Sequence, residues 1–421
     1  MDESSLETWR KLMERGTYFL GQAEYSQAEK YFMQSIMFAK DLLVPEILAF
    51  TLRLLSTVRV KQGKLLSAER GFREALQICK ELQNKKGMAE ALAGLASVLA
   101  AQGQLVEAAA YYNLAIEKYP GSSPPLRLGM LYSDLGQVYS ALEDWRRAKE
   151  AYIQAKDLCR IHGYPKGEGE LSVLLGEVCF REGRKKEAVD WIISASRVFI
   201  QVPDENALAY ALQYLAFIYF DINKPFEALD CQLRVMVLLL RQGQEDEVSE
   251  GYYFLSKILQ SIGEFEEAEY YLEISVAKYE RQDTAIALRY QNLAKLALTR
   301  LDLSKAEEYY LKALELFEKF EDDLNSGEIY EALAYIAESQ GKVDEAFCLR
   351  QKSATTLSRH GALTFNAAIK LGEYYEARYD YLEALQYYWQ ALQIAKEVDL
   401  EIERTERAIQ RVSRRIRRKN K

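Results

Sequence analysis

The chain has few residues of the kinds that usually carry chemistry, with two histidines and five cysteines among 421 residues. His162 and His360 lie far apart in sequence, without zinc-ligand spacing and without a nucleophile at a defined distance. Cys-x-x-Cys pairs and glycine-rich phosphate loops are absent as well. The sequence therefore predicts no catalytic residues, no metal site and no cofactor, and we expect no enzymatic activity.

Long apolar runs are also missing, since no stretch approaches the roughly 18 residues that a membrane span requires. The first five residues, Met-Asp-Glu-Ser-Ser, lack the apolar core of a signal peptide. Hydrophobic residues make up 49% of the chain, which is enough for a continuous core. The five cysteines are predicted to be buried free thiols inside helices: Cys79, Cys159, Cys179, Cys231 and Cys348. These features predict a folded cytoplasmic protein, with a nuclear location left open.

Alanine recurs in one register along the whole chain. The step from one of these alanines to the next is about 40 residues, a period typical of repeat architectures. The marker alanines are Ala28, Ala68, Ala108, Ala148, Ala188, Ala228, Ala268, Ala306, Ala346 and Ala384. A small side chain kept in register ten times indicates about ten copies of one structural unit.

The residues around each marker follow a helical pattern. A small residue lies twelve positions before it, and a large one lies four positions after it in most copies. Glycine often lies five positions before it, as in Gly63 and Gly103. Offsets of 4 and 7 belong to one face of an α-helix, so each unit is predicted to be helix A, a turn near the glycine, and helix B. A larger side chain at Ala108 or Ala188 should overpack the contact between the two helices at a cost of about 1–3 kcal/mol.

Segments such as LGQVYSALEDWRRAKEAYIQAKDL and LAGLASVLAAQGQLVEAAAYYNLAIEKYP closely resemble the tetratricopeptide repeat. The 40-residue period is similar to the long-helix branch of that family, which includes spindle-orientation adaptors, kinesin light chains and bacterial peptide-sensing regulators. The resemblance implies an all-α fold, a right-handed α-solenoid of about ten helix-turn-helix units over residues 1–398. A capping helix with a basic tail is expected over residues 399–421.

In this family helix A lines the concave side, so the resemblance implies groove positions at −18, −15, −11, −8 and −7 relative to each marker alanine. At these groove positions the first two units offer bases, the middle units offer aromatic residues beside acids, and the last two units offer mainly acids. The candidate partner-binding residues are Arg10, Arg53, Lys61, Glu170, Glu177, Tyr210, Phe217, Phe220, Tyr253, Glu328, Glu331, Tyr335, Glu338, Glu373 and Glu376. An aromatic surface rimmed by charge is typical of peptide and helix grooves.

The C-terminal segment is strongly basic, with nine Lys and Arg against two Glu over residues 403–421, a net charge of +7. Because the whole chain carries −8, the remainder carries −15. The candidate contact residues of the tail are Arg411, Arg414, Arg415, Arg417, Arg418 and Lys419. Such a block is consistent with a nuclear address, a nucleic-acid or anionic-lipid contact, or a solvated helix end. Opposite charge also leads to the hypothesis that the tail folds back onto Glu373 and Glu376 or pairs with a neighbouring molecule.

Stacked repeats present long surfaces rather than enclosed active sites. We therefore expect a non-enzymatic scaffold or adaptor that binds a helical or extended segment of another protein in its concave groove. The segment facing repeats nine and ten is expected to be basic. Two alternatives stay open: a nucleic-acid- or membrane-associated factor that uses the Arg-rich tail, and a peptide-responsive allosteric regulator of a partner.

Overall fold

The computed structural model describes residues 3–120, 125–243, 245–279, 281, 283–358, 365–398 and 402–419, and over these ranges the chain is helical without strands. The helices are α1 Glu3–Gly21, α2 Tyr25–Asp41, α3 Pro45–Lys61, α4 Leu65–Glu81, α5 Lys85–Ala101, α6 Leu105–Lys118, α7 Pro125–Ala141, α8 Trp145–Ile161, α9 Pro165–Arg181, α10 Lys185–Gln201 and α11 Glu205–Asp221. They continue as α12 Pro225–Gln242, α13 Glu245–Ile262, α14 Phe265–Lys278, α15 Thr284–Thr299, α16 Leu303–Lys319, α17 Asp323–Ser339, α18 Val343–Ser358, α19 Phe365–Ala377, α20 Tyr381–Val398 and α21 Ile402–Lys419.

The predicted helix pairs are confirmed. Each marker alanine lies in the second helix of a pair, α2, α4 and so on to α20. All ten markers are at most 1% exposed. The pairs α1–α2 to α19–α20 therefore form ten repeats, and α21 follows them as a single helix.

The small residue twelve positions before the marker faces the ring four positions after it. A Cβ on Gly16 would lie 2.6 Å from the Phe32 ring, and one on Gly136 would lie 2.6 Å from the Tyr152 ring. Both rings are buried, at 0% and 2% exposure. The sequence rule of small and large residues thus corresponds to a slot on helix A that is filled by a side chain of helix B.

In each repeat, helix A is followed by a turn residue whose backbone has the left-handed conformation. The residue five positions before the marker has a positive φ in every repeat: Ala23, Gly63, Gly103, Glu143, Gly183, Asn223, Gly263, Leu301, Gly341 and Tyr379. The next residue donates its backbone N–H to a carbonyl five residues earlier, as Lys64 does to Arg59 at 2.8 Å. This is a Schellman stop, in which glycine avoids the steric cost of the left-handed backbone. Glycine occupies only half of these positions, although the conformation recurs in all ten.

The helices pack as two compact units, Met1–Cys231 and Gln232–Lys421. In the first unit each helix from α1 to α11 contacts the next, and the A helices α3 and α5, and also α9 and α11, contact each other directly. In the second unit consecutive helices from α13 to α21 are likewise in contact. In the first unit these contacts place α3 beside α5 and α9 beside α11.

Helix α21 packs on α20 and closes the core of the last repeat. Val412 is fully buried, and Ile409 is 8% exposed in the same apolar cluster. The expected cap is therefore present as a helix, while residues 399–401, 420 and 421 of the predicted segment lie outside the described residues.

Four of the five cysteines are buried free thiols, as predicted, and burial raises the pKa of Cys179 to about 11. The prediction was wrong for Cys348, which is exposed. It lies two residues after the buried Ala346, and a shift of two residues moves a side chain about 200° around a helix. None of the helices in the described part of the chain has the length and apolarity needed to cross a bilayer.

Candidate functional site

A cavity of about 690 Å³ opens on the A-helix face of the first unit. Its walls come mainly from α3, α5 and α7, the first helices of repeats two, three and four. The five groove positions of repeat two all line it: Phe50, Arg53, Thr57, Val60 and Lys61. The family-based rule for groove positions therefore locates a real concavity here.

Charges of both signs line this cavity. Arg53 Nη1 lies 2.5 Å from Glu90 Oε2, and both side chains are largely buried. Lys61 and Arg127 are exposed and act electrostatically on Asp134, which also lines the cavity. The lining thus contains three cations and two carboxylates.

The sequence pattern anticipated only part of this set. Glu90 occupies a groove position, at −18 relative to Ala108, so its presence was readable from the sequence. Arg127 and Asp134 lie at −21 and −14 relative to Ala148, outside the five groove positions. Their place on the cavity wall depends on the packing of α7 against α6, which follows α5.

Burial raises the pKa of two ionisable groups on the wall of the cavity, Asp134 and Tyr112. The pKa of Asp134 is raised because burial disfavours its charged form, although Arg127 and Lys61 oppose the shift. The pKa of Tyr112 is raised by burial and by the nearby Asp134, so the phenol stays protonated and able to donate.

The middle of the predicted groove carries an aromatic patch formed by Phe180, Tyr214 and Phe217 on α9 and α11. The ring centroids lie between 5.6 and 6.3 Å apart, and Phe217 is 44% exposed. Beside the patch, the Tyr210 hydroxyl donates to Glu177 Oε1 at 2.7 Å. This hydrogen bond raises the pKa of Tyr210 to about 12. The sequence pattern omitted Tyr214, which joins the two phenylalanine rings.

Three groove candidates of the first unit remain. Arg10 is exposed on α1, Glu170 is exposed on α9 and Phe220 is half-buried near the end of α11.

In the second unit, the Tyr253 side chain is part of a network of hydrogen bonds and cation–π contacts within the protein. Its hydroxyl accepts a hydrogen bond from Asn292 Nδ2 at 2.9 Å. Its ring lies 5.2 Å from the guanidinium of Arg289, which is 2% exposed. Arg289 donates to Ser275 Oγ at 2.8 Å and to Glu250 Oε1 at 2.6 Å. The network satisfies a buried cation and links α13, α14 and α15.

Two acids of repeat nine share one base from helix B. Arg350 on α18 donates to Glu338 Oε2 at 2.5 Å, and its Nε lies 3.9 Å from Glu331 Oε2. Burial raises the pKa of Glu331, whereas Arg350 lowers that of Glu338. Glu328 is exposed, and Tyr335 is 58% exposed. The groove positions alone suggested acids without a base, and the second helix of the repeat supplies one.

The acids of repeat ten are paired with α21. Arg411 donates to Glu376 through Nε at 2.8 Å and Nη2 at 2.7 Å, and Arg415 lies 3.3 Å from the same carboxylate. Glu373 has longer contacts, 3.6 Å to Lys370 and 3.9 Å to Arg404. The structure therefore supports the hypothesis of a tail folded back by opposite charge.

The structure shows no contact of Arg414, Arg417 or Arg418 with Glu376 among the described residues. Arg414, Arg417 and Arg418 are exposed. The side chain of Lys419 lies outside the described residues. Within the described ranges, no group of three or more His, Cys, Asp and Glu side chains could hold a metal ion.

Two segments of the sequence match the tetratricopeptide repeat, residues 47–120 and residues 364–398. No curated protein matches the sequence. Among solved structures, the fold is similar to the apo form of RapI, with a TM-score of 0.61 and 11% identity over 85% of this chain and 99% of that one.

A second similar structure is the signal transduction ATPase with a tetratricopeptide repeat sensor from Pyrococcus horikoshii. The TM-score is 0.57 and the identity 15%, over 84% of this chain and 54% of that one. A putative kinesin light chain repeat protein from Podosopora anserina aligns over 48% of this chain and 99% of its own, at 16% identity and a TM-score of 0.42.

The likenesses to RapI and to the archaeal ATPase concern the fold, since both identities are low. The matched segments, the ten buried alanines and the stacked helix pairs all describe the same repeat. Over residues 47–120 and 364–398 the chain consists of tetratricopeptide repeats, and the other helix pairs of the described residues have the same architecture.

Proposed function

We propose that the protein is a non-enzymatic scaffold that binds a helical or extended segment of a partner protein along its A-helix face. The cavity between α3, α5 and α7 carries this proposal, because it lies where the repeat directs the free faces of the A helices. Its volume of about 690 Å³ falls within the roughly 300–1,000 Å³ of ligand sites. Tetratricopeptide repeats are generally an interaction fold, which agrees with this assignment.

The aromatic patch supports the same surface. Rings that are partly exposed on neighbouring A helices can bury apolar side chains of a partner, and Glu170 and Glu177 lie on the same helix as Phe180. Aromatic anchors of this kind contribute most of the binding free energy in many interfaces.

The proposal is tested by filling the cavity. Ala100 lines it on α5, whereas Ala110 is exposed on α6 and does not line it. Ala100→Trp should block a partner, and the matched control Ala110→Trp should not. Partners captured with the wild type are identified by mass spectrometry, and their purified segments are titrated by calorimetry against the three proteins. Equal affinity of a captured segment for both tryptophan variants would locate the binding surface elsewhere.

A basic partner segment beside repeats nine and ten is part of the proposal. The exposed Glu328 and Tyr335 are the groove residues there that are most accessible to it. Glu331 and Glu338 already share Arg350, so a lysine at either position would also disturb α18. Glu328→Lys is therefore the cleaner charge reversal. It should weaken a basic segment while circular dichroism and the melting temperature stay unchanged.

The exposed Arg414, Arg417 and Arg418 favour one alternative, an anionic contact through the tail. The apolar stripe of α21 is buried on α20, so this contact would be electrostatic. Binding to nucleic acid or anionic vesicles should then fall steeply with salt and be lost in the triple glutamine variant. Retention of that binding by the triple variant would exclude the tail as the contact.

A further inference from the structure

Helix α12 carries an exposed apolar stripe at positions that other B helices fill with polar or charged residues. Leu233, Val237 and Leu240 lie 5, 9 and 12 residues after the marker Ala228. In none of the other nine repeats are all three of these positions apolar. The three side chains are 45%, 50% and 50% exposed. Contiguous apolar surface of this kind is typical of a contact with another molecule.

The stripe is separate from the face that α12 packs into the core. Val235 and Leu239 lie on the opposite side of the helix and are buried, at 0% and 5% exposure. The spacing of the stripe, four residues and then three, is that of a coiled-coil seam. Valine at its a position and leucine at its d positions are the residues that favour a pair of helices. The stripe therefore fits another helix.

The charges beside the stripe show which helix would fit. Glu227 and Asp230 are exposed towards the beginning of α12, and Arg241 is exposed near its end. Glu227 has one further contact in the structure, 3.6 Å from Lys224, and both side chains of this pair stay about half exposed. A second α12 packed in the antiparallel direction would place its basic end beside this acidic end. Packed in the parallel direction, it would bring like charges together.

The register of an antiparallel pair follows from the stripe. When Leu233 faces Val237 of a second copy, the two-fold axis passes position 235. Arg241 then faces position 229 of the second copy, between Glu227 and Asp230, and the symmetry forms this contact twice. Arg234 lies beside the axis, four residues after Asp230 on its own helix, a spacing at which opposite charges attract.

We propose that the protein forms an antiparallel homodimer through α12, with Leu233, Val237 and Leu240 as its apolar seam and Arg241 facing Glu227 and Asp230 of the second copy. The contact uses residues of a B helix, so it goes beyond the proposed groove and does not depend on it. Because one helix of about 27 Å forms the contact, the interface is small and the dimer is expected to dissociate in the micromolar range.

Sedimentation equilibrium of the full-length protein at about 5–200 µM tests self-association. The mass should rise with concentration towards twice that of the chain. Leu233→Glu should weaken the dimer at least about 100-fold, because it buries a charge from each copy in the seam. The matched control is Leu311→Glu on α16, which changes a leucine at the same position after its marker, Ala306, and with a similar exposure of 51%.

Charge exchange tests the antiparallel direction. Arg241→Glu by itself should weaken the dimer at least about tenfold, because three acids then meet at each end of the seam. The double variant Glu227→Lys and Asp230→Lys should weaken it similarly, since both lysines then face Arg241. An equimolar mixture of the two proteins should associate at least as tightly as the wild type, because opposite charges face each other at both ends of the mixed pair.

Each result supports or overturns the inference. A wild type that stays monomeric at about 200 µM overturns it. So does a dimer that withstands Leu233→Glu, or one that Leu311→Glu weakens equally. A mixture that associates no more tightly than its separate variants contradicts the antiparallel arrangement. A monomeric wild type that loses a captured partner in Leu233→Glu assigns the stripe to that partner and not to a second copy. If Leu233→Glu does not fold, the exposed charge variants and their mixture decide.

Discussion

Removal of the charge of Glu376 should loosen the C-terminal cap. The Glu376 carboxylate is 9% exposed and accepts two hydrogen bonds from Arg411 and one from the buried Tyr388 hydroxyl at 3.0 Å. Glu376→Gln keeps the shape of the side chain. Its amide nitrogen, however, would face a guanidinium that is also a donor.

The magnitude follows from those contacts. A hydrogen bond between charged groups contributes about 1.5–3 kcal/mol, so the two Arg411 bonds set an upper limit near 3–6 kcal/mol. The Arg411 side chain is 52% exposed and regains water once released, which reduces the loss to about 2 kcal/mol. Amide exchange over residues 402–418 should accelerate by roughly 30-fold, since each 1.4 kcal/mol is a factor of ten.

Hydrogen exchange read by mass spectrometry measures this opening, and Glu373→Gln is the matched control. Glu373 is 43% exposed with contacts of 3.6 and 3.9 Å, so its loss should cost less than about 0.5 kcal/mol. If α21 exchanges at the wild-type rate in Glu376→Gln, or equally fast in both variants, the buried pair does not hold the cap.

The same pair makes the cap sensitive to acid. Arg411 lowers the pKa of Glu376 below its usual value of 4.5. The stabilisation is therefore complete above the unfolded pKa and is lost as the pH falls through the lower, folded pKa. The difference in exchange between wild type and Glu376→Gln should be constant near pH 7 and shrink below about pH 4.5. A difference that grows towards acid pH would contradict this assignment.

Two further predictions concern the repeat itself, and urea unfolding followed by circular dichroism tests both. Gly136→Ala places a Cβ 2.6 Å from the Tyr152 ring, whereas Gly21→Ala meets no atom within 4 Å, so the first variant should be less stable than the second by about 1–3 kcal/mol. Gly103 has a φ of 79° and Leu301 a φ of 61° at the same left-handed position. Gly103→Ala should destabilise by about 1 kcal/mol, and Leu301→Gly should be neutral or stabilising. A change of the same sign in the free energy of unfolding of both turn variants would mean that the positive φ does not determine the energy of this turn.

The repeat pattern allowed much of the fold to be predicted because its residues make contacts within one repeat. Gly136 and Tyr152 are sixteen residues apart, in two helices joined by a short turn. A slot and the ring that fills it therefore recur at fixed offsets, and the offsets are visible in the sequence. The sequence did not mark Leu301 or Tyr379 as left-handed residues, because the turn is imposed by helix packing when glycine is absent.

The groove was predicted less completely, since its contacts join different helices. Arg53 meets Glu90 from the next A helix, and Glu331 meets Arg350 from helix B of its own repeat. The offset of a residue from the marker alanine predicts which face of helix A the residue occupies. It does not predict which side chain of a neighbouring helix neutralises its charge. For this reason the sequence pattern predicted unpaired acids in the last two repeats, whereas the structure pairs several of them with a base.

The sequence by itself determined the helix pairs, their number and their register, because a 40-residue period of small and large side chains permits one way of packing each repeat. Only the tertiary structure decided which charges remain available to a partner. Stacking brings side chains from successive repeats within a few ångströms, and at that distance the pairing, burial and solvation of a charge depend on the neighbouring helix.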